Sequence, residues 1–137
     1  MTRLEIANLL DTQYTIASDI FEGKKYAFDA LPEIKDFIIR LSLTLDAEKF
    51  DDLGDGVFIA KSAKVAKSAS ISGPCIIDED AEIRHCAFIR GNAIVGKGAV
   101  VGNSTELKNV THIYKIVSLQ ALLFLRCAFV IYYFKFI

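Results

Sequence analysis

Between residues 57 and 110 an aliphatic side chain returns at every sixth position: Ile59, Val65, Ile71, Ile77, Ile83, Ile89, Val95, Val101 and Leu107. Four residues after each of the first eight comes a small one: Ala63, Ala69, Cys75, Ala81, Ala87, Ala93, Ala99 and Thr105. A helix of 3.6 residues per turn smears a strict six around its surface, and a flat sheet repeats every two, so neither explains the register. A coiled parallel β-structure does, because each short face can place one large and one small side chain inward at every step.

If three such faces close one turn, the segment makes about three turns, a stack roughly 15 Å tall at the usual strand spacing. Residues eighteen apart then lie one above another. Ile59, Ile77 and Val95 form one column, Val65, Ile83 and Val101 a second, and Ile71, Ile89 and Leu107 a third. Such columns fill a core and pin the register. Gly96 and Gly102, just after the aliphatic position, are expected at corners with positive φ. Pro74, lacking a ladder donor, is expected near a corner too.

Residues 1–55 read as a helical segment in front of the repeat. Leu4, Ile6, Leu9 and Leu10 make one short apolar face, and Ile16, Ile20 and Phe21 make another that stops at Gly23. A firmer helix is predicted from Pro32 to about Ala47, with Ile34, Phe37, Ile38, Leu41 and Leu45 on one side. That side is expected to pack on the β-coil or on a neighbouring subunit. Asp51, Asp52, Gly54, Asp55 and Gly56 read as the loop into the repeat, residues 56–110.

The composition changes after Val110. All seventeen acids, all eight glycines and both prolines precede it, and residues 111–137 hold none. The six-residue series limps on through Ile113, Leu119, Leu125 and Ile131, but Val117, Leu123, Phe129 and Lys135 are too large for the partner slot. Ile116 to Ile137 is long enough to cross a bilayer, whereas Gln120, Arg126 and Lys135 count against that. A tail read out of frame or a truncated gene end accounts for it as well. In either case a coil needs a cap on its last rung.

A net charge of −1 gives no basic field for nucleic acid. Cys75, Cys86 and Cys127 show neither paired nor zinc-ligand spacing, so reduced thiols in a cytoplasmic protein are expected and no metal site is assigned. The first residues show no secretory signal. Cys75 simply fills a small-residue slot.

The hexads resemble those of the hexapeptide-repeat acyltransferase superfamily, whose fold is mainly β: a left-handed parallel β-helix, here of about three coils behind an α-helical N-terminal segment. Residues 73–109, GPCIIDEDAEIRHCAFIRGNAIVGKGAVVGNSTELKN, are similar to the acetyltransferase half of the bifunctional glucosamine-1-phosphate acetyltransferases and uridylyltransferases. The likeness extends over roughly residues 25–110, and only the IRGN and GNSTELKN segments point to this sugar branch. It implies acetyl transfer from acetyl-CoA, as co-substrate, to an amino-sugar phosphate, in nucleotide-sugar metabolism that feeds cell-wall precursors. It also implies a homotrimer with active sites between subunits, since the flat faces of such prisms pack together.

By this resemblance Arg90 and Lys108 are the substrate-binding residues, holding the sugar phosphate. Being eighteen apart, they would stack on one outer edge, where two cations repel each other unless an anion lies beside them. The alternative is that Arg90 pairs with an acid such as Glu106 or Asp78. The family's catalytic histidine falls some twelve residues after the lysine and is followed by a tyrosine. Here those positions hold Gln120 and Leu123, and neither can act as a base, so no catalytic residue is assigned. His85 is expected at a solvated edge or a trimer contact, and His112 lies where the repeat fails. No glycine-rich nucleotide loop is present for uridylyl transfer. Weak or absent acetyl transfer is therefore expected, with a non-catalytic trimeric module binding a sugar phosphate or nucleotide sugar as the alternative, and a membrane anchor as a third reading of the tail.

Overall fold

The computed structural model describes residue 6 and residues 15–112. The apolar tail from residue 113 onward lies outside them, as do Leu4, Leu9 and Leu10 of the first expected helical face. Among the described residues no helix is long and apolar enough to cross a membrane.

The repeat folds as a parallel β-solenoid of three turns. Its strands are β2 (Val57–Ala60), β3 (Lys64–Val65), β4 (Ser70–Ser72), β5 (Cys75–Ile77), β6 (Glu82–Ile83), β7 (Phe88–Arg90), β8 (Ala93–Val95), β9 (Val100–Val101), β10 (Glu106–Leu107) and β11 (Val110–His112). They build three sheets, ordered β2-β5-β8-β11, β3-β6-β9 and β4-β7-β10 along the stack. Ile59 pairs with Ile77 and Ile77 with Val95, Val65 with Ile83 and Ile83 with Val101, Ile71 with Ile89 and Ile89 with Leu107. All three columns expected from the spacing are present. The small residues share the interior: Cys75, Ala81, Ala87, Ala93 and Ala99 are buried beside Ile77, Ile83, Ile89, Val95 and Val101. Burial pushes the Cys75 thiol up to about 12, as befits a side chain packed as a small hydrophobe.

Two details depart from the eighteen-residue expectation. Val110, Thr111 and His112 pair with Ala93, Ile94 and Val95, a spacing of seventeen. The corner Lys108–Asn109 is one residue shorter than Arg90–Gly91–Asn92, so the register slips before Val110 rather than after it. The second departure concerns the corners. Gly96 and Gly102 are not the residues with positive φ; that conformation falls two places later, at Asp80, Cys86, Asn92, Gly98 and Ser104. Hydrogen bonds from the neighbouring turn hold these corners. Ser62 Oγ accepts from the Asp80 N–H at 3.0 Å and Ser68 Oγ from the Cys86 N–H at 3.1 Å, while the Glu79 and His85 carbonyls accept from Gly98 and Ser104. A residue so anchored can bear left-handed backbone without being glycine. Pro74 does sit at a corner, between β4 and β5.

From residue 15 onward the N-terminal segment is less helical than its periodicity suggests. Ser18–Phe21 and Ala27–Glu33 are 3-10 turns, Pro32 lies inside the second, and the one described α-helix, α1, spans Ile34–Ser42. Hydroxyls end it early: Ser42 Oγ donates to the Ile39 carbonyl and Thr44 Oγ1 to the Leu41 carbonyl, each at 2.8 Å. Lys61 Nζ then draws the Glu48 carbonyl onto the coil at 2.9 Å. Asp51 and Asp52, expected in a loop, belong to a strand, β1 (Phe50–Asp52), which pairs antiparallel with β2 through a tight turn. Positive φ at Gly54, Asp55 and Gly56 makes that turn.

The helix packs on the coil of its own chain. Outward positions, one before each inward aliphatic, are mixed on two faces, but Phe58, Ile76 and Ile94 make the third apolar. Ile34, Phe37 and Ile38 of α1 bury Ile76 and Ile94 there, with Ile20, Phe21 and Ala30 closing the layer. The molecule thus has two cores sharing one sheet. Ile94→Ala empties part of the outer core without touching the inner columns. Urea unfolding is expected to show a loss of roughly 2–5 kcal/mol, the range for deleting a buried Ile side chain beyond Cβ. A loss no larger than a surface substitution gives would show that the helix does not hold this face.

Candidate functional site

Strand β7 ends at a corner where alternation sets the side chains: Ile89 is inward, Phe88 and Arg90 are outward and exposed. Gly91 makes the bend with φ 84°, packed so closely that a Cβ there would come within 2.7 Å of the Gly73 carbonyl oxygen of the turn before. In the following turn Leu107 pairs with Ile89, so Lys108 follows β10 at the place where Arg90 ends β7. The two residues therefore flank one corner on adjacent turns, their backbones about a strand spacing, roughly 5 Å, apart. Lys108 is exposed and makes no ion pair among the described residues.

Arg90 already has an anionic partner. Its Nη1 donates to Glu106 Oε1 at 2.8 Å, and its guanidinium lies 5.7 Å from the Phe88 ring centroid. Of the two acids expected as partners, Glu106 is the one used. Both side chains are about half exposed, at 45% and 53%, so the pair contributes only about 0–1 kcal/mol to stability. Inside the corner Asn92 Nδ2 donates to Asn109 Oδ1 at 2.7 Å. That bond escapes sequence reasoning, because the two asparagines are seventeen apart and align only through the shortened corner.

The other expected residues lie elsewhere. His85 is exposed at the corner before β7, its Nδ1 2.6 Å from Ser68 Oγ. It belongs to the corner that precedes β7, whereas Arg90 belongs to the corner that follows it. The backbone of His112 lies on β11 opposite Val95. Among the described residues no group of three His, Cys, Asp or Glu side chains could hold a metal ion.

Asp78 marks a second polar locus. It is 4% exposed and lines a groove of about 620 Å³ between the coil and the chain around Thr15, Leu45 and Phe50. Its Oδ1 accepts from the Glu79 N–H at 2.7 Å. On the rim Glu79 bridges two ammonium groups, Lys97 at 2.7 Å and Lys49 at 3.3 Å. This network ties the N-terminal segment to two successive turns.

Burial raises the Asp78 carboxyl above its ordinary 3.8, and backbone hydrogen bonds from Glu79 and Lys97 oppose the rise. Hydrogen bonds from Lys97 and Lys49 lower Glu79 below its ordinary 4.5. The signs are opposite. A raised carboxyl gives stability that is complete below its ordinary value and lost as pH rises through the raised one; a lowered carboxyl gives stability that is lost as pH falls. Asp78→Asn removes only the first dependence. As pH rises above 3.8, the variant's unfolding free energy should climb more steeply, or fall less, than the parent's. Identical pH profiles in urea titrations would show that burial of Asp78 does not alter its proton affinity.

Comparison with known proteins gives no match: no family model, no curated protein and no solved structure aligns with the chain.

Proposed function

We propose that the chain is a left-handed β-helical protein of the hexapeptide-repeat acyltransferase type, which binds an amino-sugar phosphate at the Arg90 and Lys108 corner. The supporting observation is the register that puts these two exposed cations on adjacent turns. Two such charges about 4 Å apart in water would repel each other by about 1 kcal/mol, and a dianionic phosphate that takes the place of Glu106 between them turns that repulsion into attraction. Arg90 would offer the phosphate a planar pair of donors and Lys108 a point charge.

Acetyl transfer from acetyl-CoA is the chemistry the resemblance implies, and it needs a base at the amine. The sequence puts no histidine at the expected distance after Lys108, so this reading takes binding as the main activity and turnover as weak or absent. The subunits would trimerise through the two coil faces that α1 leaves bare.

Glu106 makes the test specific. Glucosamine-1-phosphate should raise the melting temperature of the full chain, and Arg90→Ala should abolish the shift. Glu106→Gln frees the guanidinium and should tighten binding several-fold by calorimetry, since a phosphate no longer competes with a carboxylate. No shift in the parent protein would overturn the proposal. CoA release in the presence of acetyl-CoA, above a blank without protein, would instead establish turnover.

A further inference from the structure

Among the described residues, the N-terminal end of the solenoid is left open in a specific way. In the first turn β3 and β4 are the outermost strands of their sheets, whereas on the third face β1 adds one more rung. The end is therefore stepped: one face is a strand higher than the other two. The Lys64, Ala66 and Ser70 N–H groups donate to the second turn. Alternation along a strand accordingly points the Val65 and Ile71 N–H groups at the open side. The apolar interior is only partly covered there by the described residues. Val65 is 37% exposed and Leu53, in the turn after β1, is 65% exposed, while Ile59, Ala63, Ala69 and Ile71 are only partly buried.

Charge divides this end into halves. From residue 57 to residue 77 there is no acid, and Lys64 and Lys67 have no acidic partner among the described residues. On the raised side Asp51 and Asp52 of β1 and Asp55 of its turn are all exposed. Lys61, 3.9 Å from Asp51, stands where the halves meet. A surface with a raised acidic half and a recessed basic half fits itself when rotated by a half-turn.

We propose that the N-terminal end of the solenoid is an interface between two copies of this chain, docked end to end about a two-fold axis. The β1 strand of each copy covers the open β3 and β4 edges of the other. The contact is isologous, so each basic half meets the partner's acidic half twice over. It covers the exposed strand edge and the apolar end that a coil otherwise presents to water. Trimer formation through the faces is a separate matter, and the end-to-end contact does not depend on the sugar-phosphate reading.

The test is the mass of the full chain in solution by light scattering coupled to gel filtration. The parent protein should show twice the mass of the Lys64→Glu, Lys67→Glu double variant, and twice that of an Asp51→Lys, Asp52→Lys double variant. An equimolar mixture of the two variants should restore the parent mass, because an all-acidic end then meets an all-basic one. Circular dichroism verifies that each variant is folded. Leu53→Ser, which leaves every charge in place, should also lower the doubled mass. A parent mass that none of the variants changes, or a variant mixture that stays at half mass, overturns the proposal.

Discussion

Everything in this molecule depends on the vertical stacking of one aliphatic side chain per strand. Side chains alternate along these short strands, so each rung of each face contributes one aliphatic residue of the six-residue series to the core, joined by the residue in the partner slot. Burying an isoleucine or valine is worth about 1.5–3 kcal/mol, too little to hold one rung against its backbone entropy. Stacked in columns, each residue is covered above and below, and the cost is shared. That is why the partner slot is small within the stack, valine entering it only at the ends of one column, as Val57 and Val110. The interior of a three-faced prism has room for one large side chain per face per turn, and Cys75 or an alanine fills what remains.

A stack of this kind has weak places where it stops. In the second and third turns Ile77, Ile83, Ile89 and Val95 are almost wholly buried, whereas in the first turn Ile59 and Ile71 are partly buried and Val65 is 37% exposed. The chain treats its faces unequally too. One is covered by α1 and its 3-10 approach, which turns Ile76 and Ile94 into a second core, while the other two keep charged and polar outward positions such as Glu82, Arg84 and Ser70. Charge follows the same partition. The Lys49, Glu79 and Lys97 network ties the helical segment to the corner beside the covered face, and Lys64 and Lys67 crowd the open end.

The columns and the adjacency of Arg90 and Lys108 were legible in the sequence because both follow from one integer period that backbone pairing enforces. The outer core was legible in principle, since Phe58, Ile76 and Ile94 repeat every eighteen residues, but that signal hides among inward aliphatics one position away. Glycine is a poor marker of the positive-φ corners for a physical reason: partners in the adjacent turn, such as Ser62 for Asp80 and Ser68 for Cys86, stabilise the conformation in other residues. The shortened corner at Lys108–Asn109 and the hairpin at Asp52 were not legible. Each depends on which backbone groups find partners across the fold, and hydropathy carries no record of that.

The Arg90 corner shows how a weak interaction can prepare a site. The pair with Glu106 is exposed and contributes little, yet it holds the guanidinium at the corner beside Phe88 instead of leaving a long side chain free in water. Ordering such a side chain costs on the order of 1–2 kcal/mol, and here an internal anion has already met part of that cost. A phosphate would exchange with Glu106 for a partner of similar geometry and greater charge. The surrender is at most about 1 kcal/mol, against charge-assisted bonds of roughly 1.5–3 kcal/mol each. Lys108 adds a second cation that makes no ion pair among the described residues, while Glu106 is engaged with Arg90. A phosphate that meets both cations therefore gains a contact to Lys108 beyond the one to Arg90 that Glu106 already makes, and its second negative charge is what the single carboxylate lacks.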